Sequence, residues 1–208
     1  MRSKRFRMLS VAALAVATVA AGLLTAQVSA DDSTAKAVLH DAAGATIGVV
    51  KFIKQGDTVL VKADDLAFPA ALVPGFKGFH IHSTGVCDPA AIDPATGSTV
   101  PFFTAGGHYN PAVATHGSHG GDMPVLQIDQ DGSAWTRFKT DHFDVADIIG
   151  RAVIVHRDAD NFGNVPVGIG ATQYTANSTG TTNATATGLT ANTGNAGPRY
   201  ACGVVVAS

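Results

Sequence analysis

The chain has few charged residues, and none of them forms a basic patch along the sequence. Lysine and arginine together number fourteen, against sixteen acidic residues that are all aspartate. Four of the basic residues lie within the first seven positions. The rest of the chain therefore carries ten basic against sixteen acidic side chains, a net charge of about −6. The absence of a basic patch argues against nucleic acid and against an anionic membrane surface as partners.

A long hydrophobic run occurs only near the N-terminus. Arg2, Lys4, Arg5 and Arg7 precede an apolar stretch over residues 8–28, and small residues follow at Val28-Ser29-Ala30. This order is typical of a cleaved signal peptide over residues 1–30, with an uncleaved membrane anchor as the alternative. Residues 31–208 have the length of one domain that can bury its own core. We expect an exported protein that is secreted, periplasmic or held at the cell envelope.

Cysteine is scarce, with Cys87 and Cys202 as the two in the chain. Neither lies in the N-terminal segment, which therefore offers no thiol for lipid attachment. Export favours an oxidised pair, and two separate buried thiols are the alternative. A bridge that encloses more than a hundred residues would contribute on the order of 4 kcal/mol by the chain-entropy model.

A long amphipathic helix is also missing outside the N-terminal segment. Short apolar runs separated by turn residues occur instead, and Asp129-Gln130-Asp131-Gly132 is typical of a hairpin. This pattern predicts an all-β fold, an antiparallel eight-stranded Greek-key sandwich or flattened barrel with two long functional loops. The expected strands are Ala37–His40, Ile47–Ile53, Thr58–Ala63, Phe76–His82, Met123–Ile128, Ala134–Lys139, Ala152–His156 and Tyr200–Val206.

Two long connections, residues 83–121 and 157–199, interrupt these strands. Loops of this length in one domain are usually functional or disordered. Residues 173–193 of the second connection are rich in threonine, alanine, asparagine and glycine. Because this composition buries little apolar surface, we expect a mobile excursion there.

Histidine is the residue that points to chemistry. Six of the eight histidines lie in short motifs between His80 and His156, close to Asp122. In a strand, residues i and i+2 point to the same face, so His80 and His82 should project together. Imidazole is the commonest protein ligand for zinc and copper, so this set is sufficient for two metal ions. His40 and His142 fall outside the motifs, and we interpret them as structural or exposed.

Several motifs occur in the order found in one family. They are Gly78-Phe79-His80-Ile81-His82, Gly107-His108-Tyr109-Asn110-Pro111, Gly120-Gly121-Asp122, Val155-His156, Asp158-Ala159-Asp160-Asn161, and the segment from Gly194 to Gly203. Together they make the chain resemble the copper,zinc superoxide dismutases of the secreted bacterial type. The resemblance covers most of the chain after residue 30.

The resemblance implies a metal-binding antioxidant oxidoreductase with copper and zinc as cofactors and superoxide anion as substrate. It implies an imidazolate at His108 that bridges the two metals and takes part in catalysis. Asp160 corresponds to the family's carboxylate that hydrogen-bonds His80 and His116. The implied copper ligands are His80, His82, His108 and His156, and the implied zinc ligands are His108, His116, His119 and Asp122.

The resemblance also assigns roles outside the ligand sets. Arg199 corresponds to the catalytic arginine beside the copper channel, where a guanidinium attracts a small anion. Cys87 and Cys202 correspond to the family's disulfide pair, which would hold the loop that follows His82 against the last strand. The oligomeric state is open, and a homodimer is compatible with the sequence.

Two features depart from the family. Only two residues separate His116 from His119, and residues 161–198 contain no lysine, arginine, aspartate or glutamate. The family's charged guiding residues in that loop therefore have no counterpart. A non-enzymatic protein that buffers or delivers copper is the rival hypothesis, and a full ligand set together with Arg199 favours the enzyme.

Overall fold

The computed structural model describes residues 33–69, 72, 74–162 and 183–208. The expected signal peptide, residues 1–30, and residues 173–182 of the expected mobile excursion lie outside these residues. The described part contains nine strands, two α-helices and a 3-10 turn at Phe103–Ala105. The strands are β1 Thr34–Asp41, β2 Thr46–Gln55, β3 Thr58–Ala67, β4 Gly75–Lys77, β5 Phe79–His82, β6 Leu126–Ile128, β7 Ser133–Thr140, β8 Ala152–His156 and β9 Arg199–Ala207. The helices are α1 Val145–Ile148 and α2 Asn183–Thr193.

Seven strands form one curled antiparallel sheet in the order β5-β8-β9-β1-β2-β3-β7, and β4 pairs with β6 in a second sheet. Alternation of side chains along the strands builds the core on the inner face. In β1, for example, Ala35, Ala37 and Leu39 are buried, whereas Lys36 and Val38 between them are exposed. The prediction of an antiparallel all-β fold is confirmed.

The expected strand Phe76–His82 is divided at Gly78, which explains why nine strands form where eight were expected. The Gly78 amide donates to the carbonyl of Asp158, and its carbonyl accepts from the amide of His156, both at 2.8 Å. A Cβ at this position would lie 2.6 Å from the Cβ of Ala196 and 2.9 Å from Oδ1 of Asp160. The backbone at residue 78 lies so close to Ala196 and Asp160 that only glycine fits there. The chain passes from the β4–β6 sheet to the seven-stranded sheet at this residue.

Helix α2 corrects the expectation of a mobile excursion over residues 183–193. Its C-terminal end contacts the histidine-bearing loop, because the carbonyl of Ala191 accepts from the amide of His116 at 2.8 Å. Gly194 follows in the left-handed region with φ 63°, as is common after a helix. No helix of the described ranges is both long enough and apolar enough to cross a membrane.

The predicted disulfide between Cys87 and Cys202 is confirmed. Their Cα atoms lie 5.6 Å apart, within the usual range for a bridge. The bond connects the loop of residues 83–121 to β9, next to Phe102 and Ala105 in a small second core. The loop that carries the histidines is therefore covalently attached to the sheet.

Candidate metal centre

Two neighbouring strands supply three of the clustered imidazoles. His80 and His82 alternate along β5 with Phe79 and Ile81, whose side chains are in the core. His156 ends β8, which pairs with β5 in antiparallel register. All three imidazoles are buried; His82 contacts the loop of residues 83–121 at Gly106, and His156 contacts the connection of residues 157–199 at Gly197. The predicted projection of His80 and His82 to one side of the strand agrees with this arrangement.

The covering loop is itself fixed to β5 by backbone hydrogen bonds. The Ile81 amide donates to Gly121, and the Tyr109 amide donates back to Ile81, both at 2.8 Å. A Cβ on Gly121 would lie 2.2 Å from the Ile81 carbonyl oxygen, so a side chain there would prevent this contact. His108 consequently lies opposite His82.

Hydrogen bonds select one free nitrogen on each strand imidazole. His82 Nδ1 bonds to the carbonyl of Gly106 at 2.8 Å, and His156 Nδ1 bonds to the carbonyl of Gly197 at 3.0 Å. Carbonyl oxygens accept only, so both Nδ1 atoms carry hydrogen and both Nε2 atoms are free; these lie 3.4 Å apart. His80 bonds through Nε2 to Asp160, which leaves its Nδ1 free. Donor atoms of His80, His82, His108 and His156 all lie within 4.8 Å of one another.

A second donor set surrounds Oδ1 of Asp122. This oxygen lies 2.9 Å from His108 Nδ1, 3.3 Å from His116 Nδ1 and 3.2 Å from His119 Nδ1. His119 Nδ1 is 3.3 Å from His108 Nδ1. Zinc bonds of about 2.0–2.1 Å in a tetrahedron place neighbouring donors roughly 3.3 Å apart, which is close to the four separations measured around Asp122 Oδ1. The short spacing between His116 and His119 is therefore compatible with convergence.

His80 also lies within 4.8 Å of His108, His116 and Asp122. His119 differs from His80 in that its Nδ1 faces Asp122, whereas both ring nitrogens of His80 have other tasks. One is bonded to Asp160, and the other lies with the strand imidazoles.

His108 lies between the two donor sets. Its Nδ1 belongs to the Asp122 set, and its buried Nε2 has no hydrogen-bond partner among the described residues. His80 Nδ1 is buried and unpartnered in the same way. Leaving such atoms unpaired is costly, so bound cations are the natural partners.

Burial keeps these imidazoles neutral. It lowers the pKa of His80 and His82 well below the ordinary value and that of His156 to about 3, and neighbouring histidines lower the pKa of His80 and His82 further. Burial also lowers the pKa of His108, although the hydrogen bond to Asp122 raises it in part. For Asp122, burial raises the pKa, but hydrogen bonds from His108 and His116 outweigh it and hold the pKa well below its usual range. Neutral imidazole and ionised carboxylate are the forms that bind metals.

Asp160 lies between the two sets, where the resemblance implied hydrogen bonds to His80 and His116, and of these the structure has the one to His80. Its Oδ2 accepts from His80 Nε2 at 2.9 Å, and its Oδ1 is 3.7 Å from His116 Nε2. The side chain is fully buried, and burial raises its pKa to about 7. The carboxylate therefore orients His80 by a hydrogen bond and lies close to His116 without bonding to it.

Arg199 begins β9 beside the strand imidazoles. Its guanidinium donates to the carbonyls of Phe102 and Gly106, and Gly106 also accepts from His82. Burial lowers the pKa of Arg199 to about 10, so it stays cationic at neutral pH. The arginine is therefore held by the same backbone segment that orients His82.

Three contributors at the site were not predicted from sequence. The Gly106 carbonyl gives no sequence signal, because any residue supplies one. Phe162 stacks on His116 with ring centroids 5.5 Å apart. Gly194 lies so close that a Cβ would be 2.4 Å from His116 Nε2. The expectation for His40 and His142 is confirmed, since both are exposed.

Comparisons with known proteins agree with this geometry. The family model for copper/zinc superoxide dismutase (SODC) matches residues 46–205. A superoxide dismutase [Cu-Zn] of Mycolicibacterium paratuberculosis is 40% identical over 139 residues, 64% of this chain and 57% of that protein. The aligned part thus spans little more than half of that relative.

Two further similarities cover more of their counterparts. A superoxide dismutase [Cu-Zn] of Deinococcus radiodurans is 31% identical over 179 residues, 78% of this chain and 91% of that protein. The solved Cu/Zn superoxide dismutase from Brucella abortus aligns with a TM-score of 0.61 and 25% identity, covering 82% of this chain and 98% of that one. Family model, relatives and architecture agree, and the chain belongs to the copper/zinc superoxide dismutase family.

Proposed function

We propose that the protein is an exported superoxide dismutase that uses copper and zinc. The observation that carries the proposal is the position of His108, whose two ring nitrogens face two separate donor sets. We assign copper to His80, His82, His108 and His156, because four imidazoles suit both oxidation states of that metal. We assign zinc to His108, His116, His119 and Asp122, a nitrogen and oxygen set of tetrahedral spacing.

When bound, copper supplies one-electron chemistry that oxidises one superoxide to oxygen and reduces a second one, with two protons, to hydrogen peroxide. The protein holds the ring orientations for this chemistry through the carbonyls of Gly106 and Gly197 and the carboxylate of Asp160. His108 Nε2 is the atom of this chain best placed to hold a proton, since its ring already uses Nδ1 toward Asp122.

Arg199 is the cationic group that we assign to superoxide. It begins β9 with its guanidinium fixed to two carbonyls, so its charge has a defined position near His82. A fixed cation attracts and orients a small anion at short range. Residues 161–198 offer no other cation, and the net charge of the chain after residue 30 is negative.

Export is part of the proposal. The disulfide fits an oxidising compartment, and the protein of Brugia pahangi named an extracellular superoxide dismutase [Cu-Zn] is 30% identical over 192 residues. We propose residues 1–30 as the signal peptide and 31–208 as the mature domain. Mass spectrometry of the exported protein will show whether its N-terminus is Asp31.

Metal analysis together with a superoxide assay tests the assignment. The protein should bind one copper and one zinc and dismutate superoxide. His82→Ala should lose copper and activity together while zinc and the fold remain, because Ile81 belongs to the hydrophobic core, whereas the buried His82 faces the other donor atoms. His142→Ala is the matched control and should keep both metals, since His142 is exposed. Binding of both metals without dismutation would indicate a copper-buffering protein instead.

A further inference from the structure

Four basic side chains that are far apart in sequence lie in one row across the sheet. Lys36 of β1 pairs with Lys51 of β2, Lys51 pairs with Lys62 of β3, and Lys62 pairs with Arg137 of β7. These are four of the ten basic residues that follow residue 30. We call them the basic row. The sequence showed no basic patch, because strand register alone brings these residues together.

The basic row faces outward from the sheet. Residues next to it along each strand, such as Ala37, Phe52 and Val61, are in the core. Directly opposite side chains in an antiparallel pair have Cβ atoms about 4.5–5.5 Å apart. Lys36, Lys51 and Arg137 are exposed, and Lys62 is half-buried.

Repulsion within the basic row works against the stability of the fold. Like charges directly opposite each other on a sheet are destabilising. Asp64 offsets part of the charge, because it lies 2.6 Å from Lys62 and 3.8 Å from Arg137. Asp64 and Asp65 also border a shallow cleft beside Lys51 and Lys62. Within the described part of the chain, no acidic side chain lies within 4 Å of the ammonium groups of Lys36 or Lys51.

We propose that the basic row binds an extended anionic polysaccharide. Neighbouring strands are about 4.7–4.9 Å apart, so the row presents a cation at each step over roughly 14–15 Å. A linear polymer with an acidic group on successive sugars matches a single line of charges of this kind. Trp135, two residues from Arg137 on the same face and 70% exposed, offers an aromatic surface for a sugar ring.

The curvature of the sheet favours a flexible chain over a flat or rigid partner. The core lies on the inner face of the curled sheet, so the row follows the convex face. Successive strands are rotated by about 20–25°, which turns the four side chains away from a common plane. A membrane would contact only part of the row, whereas a flexible polymer can follow it. The negative net charge of the rest of the chain disfavours polyanions in general, so binding must depend on the row itself.

This proposal is independent of the proposed dismutase activity. The basic row lies on β1, β2, β3 and β7. The metal donors lie elsewhere, on β5, on β8, in the loop of residues 83–121 and at Asp122, which follows that loop. Polymer binding and dismutation can therefore be measured separately on one preparation. Loss of either property leaves the other interpretable.

The test titrates the metal-loaded mature protein with polygalacturonate and follows the fluorescence of Trp135, the one tryptophan of the chain. If all four cations neutralise acidic groups, binding should be about fiftyfold weaker at about 200 mM salt than at about 50 mM salt. This takes the logarithm of the affinity to fall by roughly 0.7 per contact for each tenfold rise in salt, as for single-stranded nucleic acid. Neutral dextran should give no response. Phosphatidylglycerol vesicles and an oligothymidylate are the rival partners, and tighter binding to either of them would overturn the proposal.

Two substitutions on β2 form a matched pair. Lys51→Gln removes a charge from the basic row. Lys54→Gln removes a charge from the same strand but outside the row, where Lys54 contacts Asp144, the N-cap residue of α1. Lys51→Gln should weaken polygalacturonate binding about fivefold, as expected for one basic contact, and Lys54→Gln should not. Asp64→Asn should strengthen binding. Equal effects of Lys51→Gln and Lys54→Gln would show that only net charge matters and would refute the basic row as the site.

Discussion

Gly194→Ala should weaken zinc binding by placing a methyl group against a proposed ligand. Gly194 follows α2 with φ 63°, a conformation in which alanine costs about 1 kcal/mol more than glycine. A Cβ there would lie 2.4 Å from His116 Nε2 and 2.7 Å from Asp160 Oδ1. Ordinary contacts need about 3.5 Å or more, so the His116 ring must move by roughly 1 Å.

The size of the effect follows from what His116 and Asp160 do. His116 Nδ1 lies in the Asp122 donor set, and Asp160 contacts the same ring from its other side. Losing such positioning contacts typically costs about 10–100-fold in metal affinity. We therefore expect the zinc dissociation constant to rise about 10–100-fold, or about 1.4–2.7 kcal/mol. Copper content should change less than zinc content, since His116 is not in the strand set and Asp160 holds His80 through its other oxygen, Oδ2.

Cobalt(II) substitution and competition with a chelator measure this effect directly. Gly188→Ala is the control, because it makes the same change within α2 and its Cβ would have no atom within 4 Å. The control should keep zinc affinity and stabilise the helix by up to about 1 kcal/mol. If Gly194→Ala binds zinc as tightly as Gly188→Ala, the position of His116 in the zinc set is wrong.

Three other predictions address the disulfide, the arginine and acid stability. Cys87→Ser combined with Cys202→Ser should lower the free energy of unfolding by on the order of 4 kcal/mol, measured in urea, and an unchanged midpoint would contradict the role of the bridge. Arg199→Ala should lower the second-order rate with superoxide about tenfold in pulse radiolysis with both metals retained, and should abolish any decrease of that rate with rising salt; an unchanged rate and salt slope would exclude this steering role. The metal-free protein should lose stability as pH falls from about 6.5 toward 3, because burial lowers the pKa of His80, His82 and His156 in the folded state, so the unfolded chain binds these protons first; Asp160, whose pKa burial raises to about 7, offsets only one of them. Urea midpoints that are constant over this range would show that these imidazoles are not buried in solution.

The features that sequence predicted depend on local geometry or on intact motifs. Alternation along one strand was enough to place His80 and His82 on one side, with Ile81 in the core. The pairing of Cys87 with Cys202 followed from their number, their context and the family pattern. These inferences needed no knowledge of how distant strands pair.

The features that sequence did not predict depend on distant contacts. The break at Gly78 exists because Asp158 and His156 bond to its backbone, and neither is close to it in sequence. Helix α2 lacks charged residues, and its contact with the amide of His116 comes from the fold rather than from its own composition. Strand register likewise produces the row that begins at Lys36, because a shift of one residue would turn each side chain to the other face.

The two donor sets differ in how far apart their members lie along the chain, and this difference changes the entropic cost of assembling each set. His108 to Asp122 span 15 residues, whereas His80 to His156 span 77. The entropy of closing a flexible loop grows with the logarithm of its length, so gathering the longer set costs the unfolded chain about 1.5 kcal/mol more. Under the proposed assignment, we therefore expect the zinc donors to come together at a lower entropic cost than the copper donors, which meet only when β5 and β8 pair.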